Sequence, residues 1–241
     1  MNILMTNDDG IDSDGLQKLA KLLRSSGKHR VFVLAPDVNR SGISHALGLI
    51  SGPVKVSAIE EDSWSCSGFP ADCVILAVRG LIPLKPDIVI SGINRGANLG
   101  SDIIYSGTAA AARQASLYGI PAIALSLVGS SPYYWDMAAS WSDEYLEELL
   151  VYWKKETFLN VNIPNNPDYP KGFEITRIAS KGYQDYLKTM NTRDGNTWCF
   201  LEGGEEIVVS EEGSDCYTVS RNYVSVSSVL NYPSTLDGLK E

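Results

Sequence analysis

The chain has 241 residues, 44% apolar and 20% charged, with a formal net charge of −9. That length suits one large α/β domain, alone or with an appended arm, and buries a sizeable core without disulfide help. The acidic balance argues against a nucleic-acid partner, which needs basic charge to displace phosphate counterions, and no stretch approaches the roughly 20 apolar residues of a membrane helix.

Met1–Thr6 predicts a buried strand that runs straight into Asn7-Asp8-Asp9-Gly10. Asp12–Arg24 follows as a helix, with Leu16, Leu19, Ala20 and Leu23 on one face. Arg30–Ala35 is a second strand, ended by Pro36, and Val54–Ile59 a third extended stretch. Pro70–Val78 starts as a helix does, with proline early and Asp72 in the first turn. Asp87–Ser91 is a strand opening into a glycine-rich loop, Gly92–Gly107. Thr108–Tyr118 is an alanine-rich helix, Pro121–Ser126 a strand, Trp135–Lys155 a long amphipathic helix and Phe158–Ile163 the last strand of the series. Strand and helix in alternation predict an α/β fold, a doubly wound and mostly parallel sheet with helices on both faces.

The character changes after Pro164. Asn165–Tyr169 is turn-rich, and strand-like pieces follow at Phe173–Arg177, Trp198–Leu201, Glu206–Val209 and Tyr223–Val226, with no competing helix pattern. Residues 1–164 are therefore expected to form the α/β core. Residues 165–241 are expected to form a β-rich extension, of hairpins or an extended arm, suited to a subunit interface. Cys66, Cys73, Cys199 and Cys216 form no CxxC pair and are expected as free thiols in a reducing cytosol. The N-terminus enters a strand directly, without a signal peptide, and a cytoplasmic location is expected.

Three loops carry the chemistry, and each follows a strand: Asn7–Gly10, Pro36–His45 and Ser91–Thr108. Loops at one edge of a doubly wound sheet converge on one crevice. Adjacent carboxylates there repel each other unless a cation or a shared proton lies between them. Asp8, Asp9, Ser41 and Asn94 offer hard oxygen donors suited to Mg²⁺, Mn²⁺ or Ca²⁺. With only two histidines in the chain, zinc is the poorer match. Taken singly, Asp9 also reads as a helix cap and Ser41 or Asn94 as turn residues.

Ser106-Gly107-Thr108 leads into the alanine-rich helix, whose N-terminus is a phosphate-binding position as well as a place for a capping serine. Asn7, Gly42 and Asn98, from the same three loops, join Ser106, Gly107 and Thr108 as candidates for the phosphate side. GxGxxG and GxxxxGK[ST] are both absent, so neither the usual dinucleotide fingerprint nor a P-loop is present. Gly42-Ile43-Ser44-His45-Ala46 lacks the second glycine of a nucleophile elbow.

These segments resemble the SurE family of stationary-phase survival proteins, which act as metal-dependent 5′-nucleotidases. The resemblance rests on TNDDG at Thr6–Gly10, APDVNRSG at Ala35–Gly42, SGFPADCV at Ser67–Val74, SGINRGANLGSDIIYSGT at Ser91–Thr108 and IPAIALS at Ile120–Ser126. It thins but continues in KGYQDY at Lys181–Tyr186 and in Gly213–Val226. It implies a Rossmann-like domain with a swapped C-terminal arm, assembling as a homodimer or tetramer. It implies one divalent ion on Asp8, Asp9, Ser41 and Asn94, with Ser106–Thr108 on the phosphate. Nucleoside monophosphates are the implied substrates, with 3′-nucleotides or short polyphosphate in some members. Two departures stand out. Ser227–Asn231 lacks the proline and histidine common in relatives, and Thr197-Trp198-Cys199 replaces a tyrosine-tryptophan pair. Asp8 and Asp9 are the expected catalytic pair, either activating a water or, for Asp8, attacking phosphorus directly. A non-catalytic nucleotide-binding domain is the alternative, favoured by the missing histidine.

Overall fold

Six parallel strands form the centre of a nine-stranded sheet. The computed structural model describes residues 1–233. In chain order the strands are β1 (Asn2–Thr6), β2 (Arg30–Pro36), β3 (Val56–Glu60), β4 (Ser63–Cys66), β5 (Ile88–Arg95), β6 (Ala122–Val128), β7 (Thr157–Pro164), β8 (Phe173–Ile175), β9 (Ser180–Asn191), β10 (Thr197–Val209) and β11 (Val224–Leu230). The helices are α1 (Asp14–Ser25), α2 (Pro70–Leu76), α3 (Gly107–Leu117), α4 (Trp135–Leu150) and α5 (Asp215–Ser220). The sheet order is β3-β4-β2-β1-β5-β6-β7-β11-β8, while β9 and β10 pair, among the described residues, only with each other as an antiparallel hairpin.

Side-chain alternation along the strands builds two cores. Ile3 and Met5 of β1 point to the face covered by α1 and α4, where Leu16, Leu19, Leu23, Trp141 and Leu149 are buried. Leu4 points to the other face, against α2 and the small residues of α3, among them Ala109, Ala112 and Ala115. Strands covered on both sides lose the polar alternation of half-exposed ones, and every residue of β7 is buried.

The chain runs outward from β1 through β2 to β4, then crosses to β5 on the other side of β1. The strand order therefore reverses at β1, and the loops after β1 and β5 part around a crevice at their carboxyl ends.

Several elements differ from the sequence expectation. β4 is present, although Ser63-Trp64-Ser65-Cys66 is too short and too polar to give an apolar-run signal. α4 ends at Leu150, five residues before Lys155. A helix, α5, lies in the region that showed strand patterns only; Ser214 caps it by accepting from Tyr217 N, and six residues are too few for a visible period. β9 covers Ser180–Asn191, and the two pieces expected near Trp198 and Glu206 are one strand, β10, with a register shift between Gly203 and Glu205. Both strands of the hairpin are mostly exposed, so neither shows an inward-facing period.

Asp215, at the start of α5, joins distant parts of the chain. Its buried carboxylate accepts from Gly100 N at 2.8 Å, Ala179 N at 2.9 Å and Cys216 N at 2.8 Å. Removing it strands three amide donors. Asp215→Ala is expected to lower unfolding stability by about 3 kcal/mol or more, read by urea titration, with an unchanged midpoint arguing against the clamp.

Candidate metal and phosphate site

The loops after β1, β2 and β5 meet at the crevice and are tied to one another through the backbone. Arg40 N donates to Asp8 O at 2.6 Å, and Ser44 N to Tyr105 O at 2.9 Å. The crevice opens as a cleft of about 320 Å³, lined by Asp8, Ser41, Gly42, Asn94, Asn98 and Ser106, with Arg95, Asp102, Tyr105 and Tyr183 also on its walls.

Asp8 is 3% exposed and locked in place. Its Oδ2 accepts from Gly107 N at 3.0 Å and its Oδ1 from the Thr108 hydroxyl at 2.5 Å. Both donors belong to the first turn of α3, so the carboxylate lies at the positive end of the helix dipole. Burial pushes the Asp8 carboxyl above its usual range, against the pull of the Thr108 hydroxyl, and the charge of Asp9 adds to the rise. Gly107 permits the approach, since a Cβ there would lie 2.7 Å from Asp8 Cβ.

Asp9 does not line this cleft; it lines a neighbouring one of about 360 Å³, with Arg95 common to both. Its Oδ2 accepts from Arg95 N at 2.8 Å and its Oδ1 from Asn39 Nδ2 at 3.4 Å. It makes no cap contact with α1, whose N-cap is Ser13. Burial pushes Asp9 up as well, opposed by the Arg95 amide and guanidinium. Asn39 in turn accepts from Ser41 N at 2.8 Å, so one side chain joins Asp9 to the loop carrying Ser41. Asn94 Nδ2 donates to Gly96 O at 3.1 Å, which fixes the amide plane beside Asp8.

On the phosphate side the candidates divide. Ser106 lines the cleft while also capping α3, accepting from Ala109 N at 3.0 Å. Asn98 lines it too, on a buried polar scaffold. Its Nδ2 donates to Ser126, its amide to Asn162 Oδ1, and its carbonyl accepts from Asn160 and Asn162. Asn7 is turned inward, bonded to Gly10 and to the Ser13 hydroxyl within its own turn. Gly107 and Thr108 are engaged with Asp8. Ser44 donates to Ile104 O and His45 pairs with Gln114, so they form no dyad.

Asn39, Asn160 and Asn162 escaped the sequence reading. Two asparagines at alternate positions of the apolar run Phe158–Ile163 were the available signal, because a buried strand carries such residues on one face only where something polar meets them.

Among the described residues no three Asp, Glu, His or Cys side chains converge as a metal cluster. A cation here therefore depends on two carboxylates with neutral oxygens. That donor set fits a hard divalent ion, and positive charge would relieve the burial cost that raises both aspartates.

The Survival protein SurE family model matches residues 3–185. The chain belongs to the SurE family. It is 40% identical over 235 residues to a 5′-nucleotidase SurE of Stenotrophomonas maltophilia strain R551-3, spanning 95% of this chain and 89% of that protein. It is 41% identical over 246 residues to a 5′-nucleotidase SurE of Geobacter sulfurreducens, spanning 97% and 91%. The crystal structure of a SurE protein from Aquifex aeolicus superposes with a TM-score of 0.86 at 35% identity, covering 100% of this chain and 97% of that one. Where many SurE relatives were expected to have proline and histidine, this chain continues β11 to Leu230, with Ser227 opposite Asn160 and Val229 opposite Phe158. A residue able to donate an amide at each position lets the ladder run on.

The fit of Asp8 against α3 is testable. Gly107→Ala is expected to displace the carboxylate and lower stability by about 1–3 kcal/mol, seen by crystallography and urea unfolding; an unmoved Asp8 contradicts the contact.

Proposed function

We propose that the chain is a divalent-metal-dependent phosphomonoesterase hydrolysing nucleoside 5′-monophosphates to nucleoside and phosphate. The observation that carries this reading is Asp8, buried at the end of β1 against the first turn of α3, in a cleft shared with Ser41, Asn94, Asn98 and Ser106. The names of the relatives at about 40% identity support the same activity.

Asp8, Asp9, Ser41 and Asn94 would hold one Mg²⁺ or Mn²⁺ ion. Such an ion supplies Lewis-acid charge to the phosphoryl oxygens and acidifies water for attack. The protein's own groups do the rest. Ser106 and Asn98 offer donors to the equatorial oxygens, and the braced asparagines keep those donors aimed without rearrangement. Arg95, exposed at the rim of the cleft, supplies mobile positive charge in a chain that is acidic overall. Asp8 or Asp9 accepts the proton of the attacking water.

A second copy of the chain is the proposed partner, docked through the β9–β10 hairpin. Tyr186, Leu187, Met190, Trp198 and Leu201 are exposed there, Leu201 at 74%. An isolated two-stranded hairpin is marginal in water, and an apolar surface of this kind marks an association site. All four cysteines are free, which supports a cytoplasmic setting, and no helix among the described residues is long and apolar enough to cross a membrane.

Phosphate release from AMP, GMP, CMP and UMP is expected to stop with EDTA and return with Mn²⁺ or Mg²⁺. Asp8→Asn and Asp9→Asn should each cut kcat/KM at least ~100-fold, and Ser41→Ala only about tenfold, since water replaces one neutral ligand. Near-normal turnover by Asp9→Asn refutes the ligand assignment. Light scattering should find the wild-type chain oligomeric and Leu201→Glu dissociated; a monomeric wild type refutes the docking role.

A further inference from the structure

The cleft has two chemically different halves. Its floor is polar, from Asp8, Ser41, Asn94, Asn98 and Ser106, and fits a phosphate. Its outer wall carries two tyrosines, Tyr105 from the loop after β5 and Tyr183 from β9 of the hairpin.

Tyr183 is held by two neighbours. Its hydroxyl donates to Asp102 Oδ1 at 2.6 Å. Lys181 Nζ donates to Asp102 Oδ2 at 2.7 Å and sits 5.1 Å from the centre of the Tyr183 ring. With its hydroxyl bonded and one face under the ammonium, the ring has only its other face and its edge left for the cleft. A tyrosine in that state has spent its one donor on Asp102 and offers the cleft mainly its ring, for stacking.

The wall is also joined firmly to the site loop. Gly100 passes so close to the root of the hairpin that a Cβ there would lie 2.7 Å from Lys181 Cβ. Asp215 ties Gly100 N to Ala179 N across the same junction. Lys181 is 6% exposed at its side chain and also meets Glu206 of β10 at 3.1 Å. Burial works against its charge, but Asp102, Tyr183 and Glu206 outweigh that and hold its pKa above the usual value.

We propose that Tyr183 is the stacking wall for the base of the bound nucleotide, with Asp102 and Lys181 as its positioning residues. The inference rests on the phosphomonoesterase reading of the same cleft. It assigns the hairpin a direct part in substrate recognition.

The test compares two esters that differ in the base alone, AMP and ribose 5-phosphate, on the full-length metal-loaded protein. The readout is the ratio of their kcat/KM values within each variant, so that losses common to both esters cancel. Tyr183→Leu is expected to lower the ratio about tenfold, mainly through KM for AMP. Tyr183→Phe, which keeps the ring, is expected to lower it less. Asp102→Asn is expected to fall between wild type and Tyr183→Leu. A ratio unchanged in Tyr183→Leu, or lowered as far by Tyr183→Phe, overturns the stacking role. A wild-type protein that hydrolyses neither ester refutes the phosphomonoesterase reading instead.

Discussion

The carboxylate of Asp8 fastens the end of β1 to the first turn of α3. Helix termini leave backbone amides unpaired, and here Asp8 takes one of them, from Gly107, together with the Thr108 hydroxyl. The charge is thus sited by the fold before any ligand arrives. Its burial is unfavourable to the anion, and the neighbouring Asp9 makes it more so. The arrangement keeps two negative groups where water screens them poorly. A cation gains most from such a site, because the protein has already met the cost of holding the ligands still.

That cost is distributed through buried polar contacts beneath the cleft. Asn98 is braced by Asn160, Asn162 and Ser126 on β6 and β7. Asn39 bridges Asp9 to Ser41. Satisfied networks of this kind fix one arrangement of side chains, whereas partly satisfied ones loosen it. The Asn160 Oδ1 atom has no partner among the described residues, which marks the deep end of this scaffold as less completely bonded than the cleft floor.

The features legible in the sequence were those with a period or a fixed neighbour. Leu16, Leu19, Ala20 and Leu23 declared α1, and the loops after β1, β2 and β5 declared themselves by following apolar strands. The adjacency of Asp8 and Asp9 drew attention to the carboxyl end of β1, where their side chains part, Asp8 into one cleft and Asp9 into its neighbour. Lys181 with Asp102, separated by 79 residues, and Asp215 with Gly100, separated by 115, have no such signature. Single polar residues paired over that range leave no pattern in one sequence. The hairpin was only partly legible, as its strands lack a buried face to impose alternation.

The hairpin also explains why the last third of the chain cannot be separated from the site. β8 and β11 extend the main sheet beyond β7, and β9 leaves it at Ser180, beside the loop that carries Asn98 and Ser106. At that point Lys181 is buried and charged, a costly state unless its partners are held close. Asp102 is that partner, and it lies inside the site loop. Any displacement of the hairpin root therefore either leaves Lys181 with Glu206 alone or carries Asp102 along. The second course is the cheaper one, so the position of the hairpin and the shape of the cleft change together. A partner docked on the outer hairpin strands would act on the cleft through this ion pair, the Tyr183–Asp102 bond and the Asp215 clamp between Gly100 and Ala179.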